Sequence, residues 1–155
     1  MDNPSSISPQ VSIVNLKHQH HKDNNVFILL NQLTNSPKLS EEEFSSIITE
    51  LPQNHRIFLL YENNVLAGMC TILIEQKLTY NGSKIAHIED VVVDKKYRGK
   101  GYAKKLVNHC IDIAKLYNCY KIILNCSDEV KPLYEKCGFT HKTNGMSLYL
   151  SLIHI

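Results

Sequence analysis

The sequence predicts an α/β domain of the mixed-sheet, α+β kind, with elements in the order β-α-α-β-β-β-α-β-α-β. Two observations carry this. Strand-like runs before residue 94 are joined by the turn signals Asn63-Asn64 and Asn81-Gly82, which favour antiparallel hairpins. A long amphipathic helix, marked by Ala103, Leu106, Val107, Cys110, Ile111, Ala114 and Tyr117, then leads to a short apolar run at 120–126. Hairpins followed by an α/β crossover imply a mixed sheet rather than a doubly wound one.

Val11–Leu16 reads as the first strand. His18, His20 and His21 follow in a polar stretch. A solvated turn is favoured there over a metal site, because no further ligand lies at finger-like spacing. Val26, Leu29, Leu30 and Leu33 have helical spacing. Ser40-Glu41-Glu42-Glu43 is a capping box, Phe44, Ile47, Ile48 and Leu51 form the expected buried stripe, and Pro52 stops the helix. Strands are expected at 56–62, 65–75 and 84–93, the last with Glu89 and Asp90 amid β-branched residues. Residues 128–136 read as a short helix ending at Cys137-Gly138, with Pro132 tolerable only near its start. Met146, Leu148, Leu150 and Leu152 alternate with polar residues and suggest a last strand.

A chain of 155 residues holds one domain, expected over 11–155 behind a loose tail at 1–10. Hydrophobic residues at 43% and charged ones at 21% are ordinary globular values and exclude global disorder. The net charge of +2, from 17 basic and 15 acidic residues, argues against a nucleic-acid or membrane partner. The start lacks a basic and then apolar leader, and the longest apolar stretch, 65–74, is about half a membrane span. Five cysteines, an odd number without a C-x-x-C pair, suit free, buried thiols in a reducing compartment, hence a cytoplasmic protein.

The segment Arg98-Gly99-Lys100-Gly101-Tyr102-Ala103 lies between a strand and the long helix. Two glycines allow close backbone approach, and a helix N-terminus offers free N–H groups to a phosphate. It is neither a Walker loop nor a Rossmann fingerprint, and a plain turn also explains a lone G-x-G. Lys95, Lys96, Arg98, Lys100, Lys104 and Lys105 crowd this helix entrance, where cations oppose the dipole, so an anionic ligand is the more economical reading than a solvated helix start.

The R-G-x-G-x-A loop after Val91-Val92-Val93, followed by Asn125 and by Leu133-Tyr134-Glu135-Lys136-Cys137-Gly138-Phe139, resembles the GNAT (GCN5-related) N-acetyltransferase superfamily over about residues 25–150. More narrowly, His87-Ile88-Glu89-Asp90-Val91-Val92-Val93 and Cys119-Tyr120-Lys121-Ile122-Ile123-Leu124 are similar to the eukaryotic glucosamine 6-phosphate N-acetyltransferase family. The resemblance implies the GNAT acyl-CoA N-acyltransferase fold with a splayed central strand pair, acetyl-CoA as co-substrate and no metal. It also implies an amino sugar phosphate acceptor and a homodimer with the sugar site at its interface.

By the same resemblance, Val91, Val92 and Val93 would meet the pantetheine arm. Arg98, Gly99, Lys100, Gly101, Tyr102, Ala103 and Lys104 would hold the pyrophosphate, with Asn125, Tyr134 and Lys136 completing the coenzyme site. Glu89 and Asp90 would bind the sugar near its amine. Thr34, Lys77, Tyr80, Tyr120 and Lys121 would lie on the substrate side, and Tyr134 would protonate the departing thiolate. His87 reads as a hydrogen-bonded structural residue. Two departures stand out. Asn125 replaces the family's usual Asp and cannot accept a proton. Tyr149 occupies the place of a phosphate-holding Arg, and no Arg follows Arg98, so Lys77, Lys121 or Lys142 would have to serve. Competing readings are a related acetyltransferase for another small amine or a protein N-terminus, a non-catalytic coenzyme-A-binding module, and nucleic-acid binding through 95–105.

Overall fold

In the computed structural model, which describes residues 7–151, five strands lie in one sheet in their chain order. These are β1 (Val11–Asn15), β2 (His55–Glu62), β3 (Val65–Gln76), β4 (Lys84–Val93) and β5 (Cys119–Ile123). The first four pair antiparallel, and β5 joins β4 in parallel. The hairpin signals act as expected: Asn63 and Asn64 take φ of 47° and 65° between β2 and β3, and Tyr80 and Asn81 take 50° and 58° between β3 and β4. The parallel step requires a crossover, which α3 (Tyr102–Leu116) provides.

Helices cover both faces of the sheet. Leu106, Val107, Cys110 and Ala114 of α3 pack on Cys70, Ile72, Ala86 and Ile88. The helix comes so close that a Cβ at Gly68 would sit 3.1 Å from Leu106 and 3.0 Å from the Val92 carbonyl. On the other face, Val26, Phe27 and Leu29 of α1 (Asn25–Leu30) and Phe44 of α2 (Glu41–Glu50) pack on Leu59, Leu66, Met69 and Val92. The α2 capping box forms as read: Ser40 Oγ accepts from the Glu43 N–H at 3.1 Å, and Glu43 accepts from the Ser40 N–H at 2.8 Å. A short helix α4 (Lys131–Glu135) carries Pro132 in its first turn and is followed by Gly138 at φ 93°.

Two irregularities of β4 position the site. Its pairing with β5 runs only from Lys84↔Cys119 to His87↔Ile123, so residues 88–93 have no strand partner on that side among the described residues. On the other side Met69 faces Val92 and Thr71 faces Glu89. One residue of β3 therefore opposes two of β4, a β-bulge at Asp90-Val91. Asp90 takes φ 51°, rare for a non-glycine residue. The sheet thus opens at the carboxylate pair.

Several expectations are corrected. Residues 146–151 form no strand, and Met146, Leu148 and Leu150 are 97%, 85% and 92% exposed; Leu152 lies outside the described residues. Alternation supplies a strand's faces but not the neighbouring edge that its backbone needs. The run at 120–126 is strand only to Ile123, and as the sheet's edge it leaves Tyr120 and Ile123 exposed. The helix expected from 128 begins at Lys131, as Pro132 requires. Leu33 lies beyond the end of α1, Ile47 is exposed rather than buried, and Cys126 is exposed rather than packed. Of the expected tail, residues 1–6 lie outside the described residues. Gln10 is tied to Asn63 by hydrogen bonds of 2.9 and 2.8 Å.

Candidate active site

After β4 the chain makes a single turn at Lys95–Tyr97 and enters the glycine loop. Asp94 stabilises that turn by accepting from the Lys96 N–H at 2.8 Å, a bond that holds its carboxyl below the usual range. Gly99 and Gly101 adopt φ of 81° and 80°, and no atom lies within 4 Å of where their Cβ would be. These glycines are therefore required by backbone conformation, and the space beside them is open. Gly101 is the N-cap of α3 and accepts from the Lys105 N–H at 3.0 Å. Tyr102, Ala103 and Lys104 follow as the first turn, whose N–H groups have no helical acceptor. This fits the pyrophosphate of a coenzyme A ester.

The structure brings Val91, Val92, Val93, Arg98 and Gly99–Lys104 together along β4 and this loop, although some side chains face away from it. Val92 and Tyr102 are buried, so only their backbones face a ligand. The Arg98 Nε donates to the Val93 carbonyl at 3.1 Å, which occupies that carbonyl. Lys100 donates to both oxygens of Glu62, at 2.8 and 3.0 Å. Lys104 and Lys136 are exposed.

Glu89 and Asp90 are exposed at the bulge. A cavity of about 180 Å³, lined by Phe27, Leu30, Phe44, Ile47, Met69, Thr71 and others, reaches Asp90 between α1, α2 and the sheet. Tyr134 is buried on α4 with Phe139 edge-on, ring centroids 6.1 Å apart, in the same apolar cluster that Val91 and Val93 join. Burial, with smaller contributions from Cys126, Cys137 and Cys70, pushes its phenol up. It therefore stays protonated at neutral pH. Asn125 is exposed just past β5, and a Cβ at Gly145 would sit 3.4 Å from its Oδ1.

The substrate-side residues are dispersed. Thr34 is exposed after α1. The Tyr80 and Tyr120 rings lie with centroids 4.7 Å apart, tilted by 36°, and the Lys121 Nζ lies 5.5 Å from the Tyr120 ring centroid. This corner sits by the start of β4: Lys121 is level with Ile85, four residues from Glu89, or about 13 Å along the strand. Lys77 pairs with Glu75, which also accepts from His87 at 2.8 Å. The Lys77 hydrogen bond, then that of His87, holds Glu75 below the usual carboxylate range. So Lys77 is not a free phosphate partner here, while His87 has the hydrogen bond expected of it.

Two contributors escaped the sequence. Glu62, beneath the loop, carried a weak signal as a lone carboxylate ending an apolar run. Gln32 donates to Asp94 at 2.9 Å and accepts from the Lys95 N–H at 3.0 Å, joining the segment before Thr34 to the coenzyme loop. No local pattern announces a pairing across more than 60 positions.

The acetyltransferase (GNAT) family model matches residues 25–139, the span from α1 to the end of this site. The chain belongs to the GNAT family. GNAT enzymes use acetyl-CoA, which the open β4 edge and the glycine loop suit. The glucosamine 6-phosphate N-acetyltransferase of Arabidopsis thaliana is 41% identical over 126 residues, covering 78% of this chain and 85% of that protein. The Trypanosoma brucei brucei enzyme of the same name is 36% identical over 125 residues, covering 79% and 85%. A crystal structure of glucosamine-6-phosphate N-acetyltransferase from Arabidopsis thaliana superposes with a TM-score of 0.86 at 37% identity, covering 92% of this chain and 99% of that one.

Proposed function

We propose that this GNAT protein transfers the acetyl group of acetyl-CoA to the amine of D-glucosamine 6-phosphate, in the cytoplasm and on the route to UDP-N-acetylglucosamine. The carrying observation is the exposed Glu89–Asp90 pair at a bulge, where β4 has just left β5. The names and identities of its relatives point to the acceptor.

The amine nitrogen attacks the thioester carbonyl, the N–C bond forms, and the C–S bond breaks with its electron pair leaving on sulfur. Glu89 and Asp90 orient the amine and, through water, take the proton it loses; Asn125 cannot. A backbone N–H on the unpaired stretch of β4 stabilises the carbonyl oxygen as it gains charge. Tyr134 then donates its phenolic proton to the thiolate.

We further propose a homodimer in which a second copy completes the sugar site. Within one chain the Tyr80–Tyr120–Lys121 corner is offset from the carboxylates by about 13 Å of backbone along the strand, and its side chains are exposed, as suits a surface that a second copy covers. Among the described residues the β5 edge is unpaired and the apolar residues of 146–150 are exposed, as suits a segment that pairs with another copy.

A second acetyltransferase reading, for another small amine or a protein N-terminus, is favoured by the engagement of Lys77 with Glu75 and by Tyr149 in place of an Arg. Thiol release from acetyl-CoA separates the two. Glucosamine 6-phosphate should exceed glucosamine and peptide amines by about 100-fold in kcat/KM, because an anion site rejects acceptors that leave its cations unpaired. Equal rates would overturn the sugar phosphate assignment. Coenzyme binding without thiol release for any amine would mark a non-catalytic module.

A further inference from the structure

We propose that Glu62 is a positioning residue of the coenzyme loop: from beneath, it anchors Lys100, and so fixes the loop's backbone before acetyl-CoA arrives. The proposal rests on the acetyl-CoA reading above.

Glu62 is the last residue of β2, and only 5% of it is exposed. A carboxylate so buried is costly unless paired. It is paired: Lys100 donates to both oxygens, at 2.8 and 3.0 Å. The Lys100 Nζ also lies 5.3 Å from the centroid of the Tyr97 ring. The Lys100 bonds hold the Glu62 carboxyl below its usual range despite burial, and Glu62 in turn holds the Lys100 ammonium above its own.

The location gives this knot its consequence. Lys100 stands between Gly99 and Gly101, both at positive φ with open space beside them. A loop flanked by two glycines has the most backbone freedom to lose when a ligand orders it. Tethering its central residue from below removes that freedom in advance and leaves the upper side to the ligand, and such preorganisation raises affinity without adding a contact. Lys100 on this view is an anchor, and the loop's N–H groups hold the pyrophosphate.

The test compares two acetyl donors, acetyl-CoA and acetyl-pantetheine, which lacks the pyrophosphate. Glu62→Gln keeps the shape and removes the charge. Its KM for acetyl-CoA should rise about tenfold with kcat near wild type, while kcat/KM for acetyl-pantetheine stays within about twofold. An unchanged or lower KM for acetyl-CoA overturns the proposal, and so does an equal loss with both donors, which would mark a general structural role. Should Glu62→Gln fail to fold, Glu62→Asp, which keeps the charge and shortens its reach to Lys100, carries the same donor comparison with the same readings. A wild-type protein that releases no thiol from either donor would instead overturn the acetyltransferase reading.

Discussion

The two ends of β4 differ in how completely one chain builds them. At the C-terminal end, the chain's own hydrogen bonds pin the coenzyme loop: Asp94 to Lys96, Arg98 to the Val93 carbonyl, Lys100 to Glu62. At the N-terminal end, the corner of Tyr80, Tyr120 and Lys121 is exposed and set apart from the carboxylates it should serve. The donor half is pinned within a single chain, and on the proposed reading a second copy completes the acceptor half. The difference teaches that the two substrates should depend differently on the state of assembly, which the largest predicted effect addresses.

Replacing Leu148 and Leu150 with Asp together puts charge on the exposed apolar segment. Sedimentation should then find a monomer, and acetylation of glucosamine 6-phosphate should fall about 100-fold or more, while calorimetry finds coenzyme A binding unchanged. A monomer with full activity would break the comparison, because it would mean that one chain completes the acceptor half as well.

Tyr134 belongs to the donor half, so its removal should alter chemistry and leave assembly alone. Tyr134→Phe should lower kcat by about 10- to 100-fold with the KM for acetyl-CoA within about twofold, the pattern of a lost proton donor. Unchanged turnover in steady-state assays would leave Tyr134 as only a packed aromatic beside Phe139. A matching rise in KM would make it a binding group.

What the sequence disclosed follows the same division. The glycine loop, the capping box at Ser40–Glu43 and the long helix are local patterns, in which neighbours along the chain determine the outcome, and all three formed. The run at 84–93 disclosed its strand but not its bulge, because the extra residue at Asp90-Val91 is defined only against β3. The pairs Glu62–Lys100, Gln32–Asp94 and Lys77–Glu75 were missed for a related reason: each side chain looked free in one dimension. The alternation at 146–152 was a correct hydropathy pattern, and its described part, 146–151, still forms no strand in this chain, since pairing requires an edge that the sequence cannot name.

The smallest effect is on acid stability, and it separates the two ends by burial. Glu62 and Glu75 are both held below the usual carboxylate range, in each case chiefly by a lysine hydrogen bond. A group whose folded pKa lies below its unfolded value contributes stability that is present above the unfolded pKa, about 4.3 for Glu, and is lost as pH falls through the folded value. Both should therefore steepen the loss of stability below about pH 5. Their environments differ: the Glu62 side chain is 6% exposed and that of Glu75 is 39%. Solvent screens the more exposed pair and weakens it. Urea unfolding midpoints between about pH 6 and 3 should thus flatten more in Glu62→Gln than in Glu75→Gln. If Glu75→Gln flattens the curve equally, the two ends of β4 are equally firmly built, and burial does not set them apart.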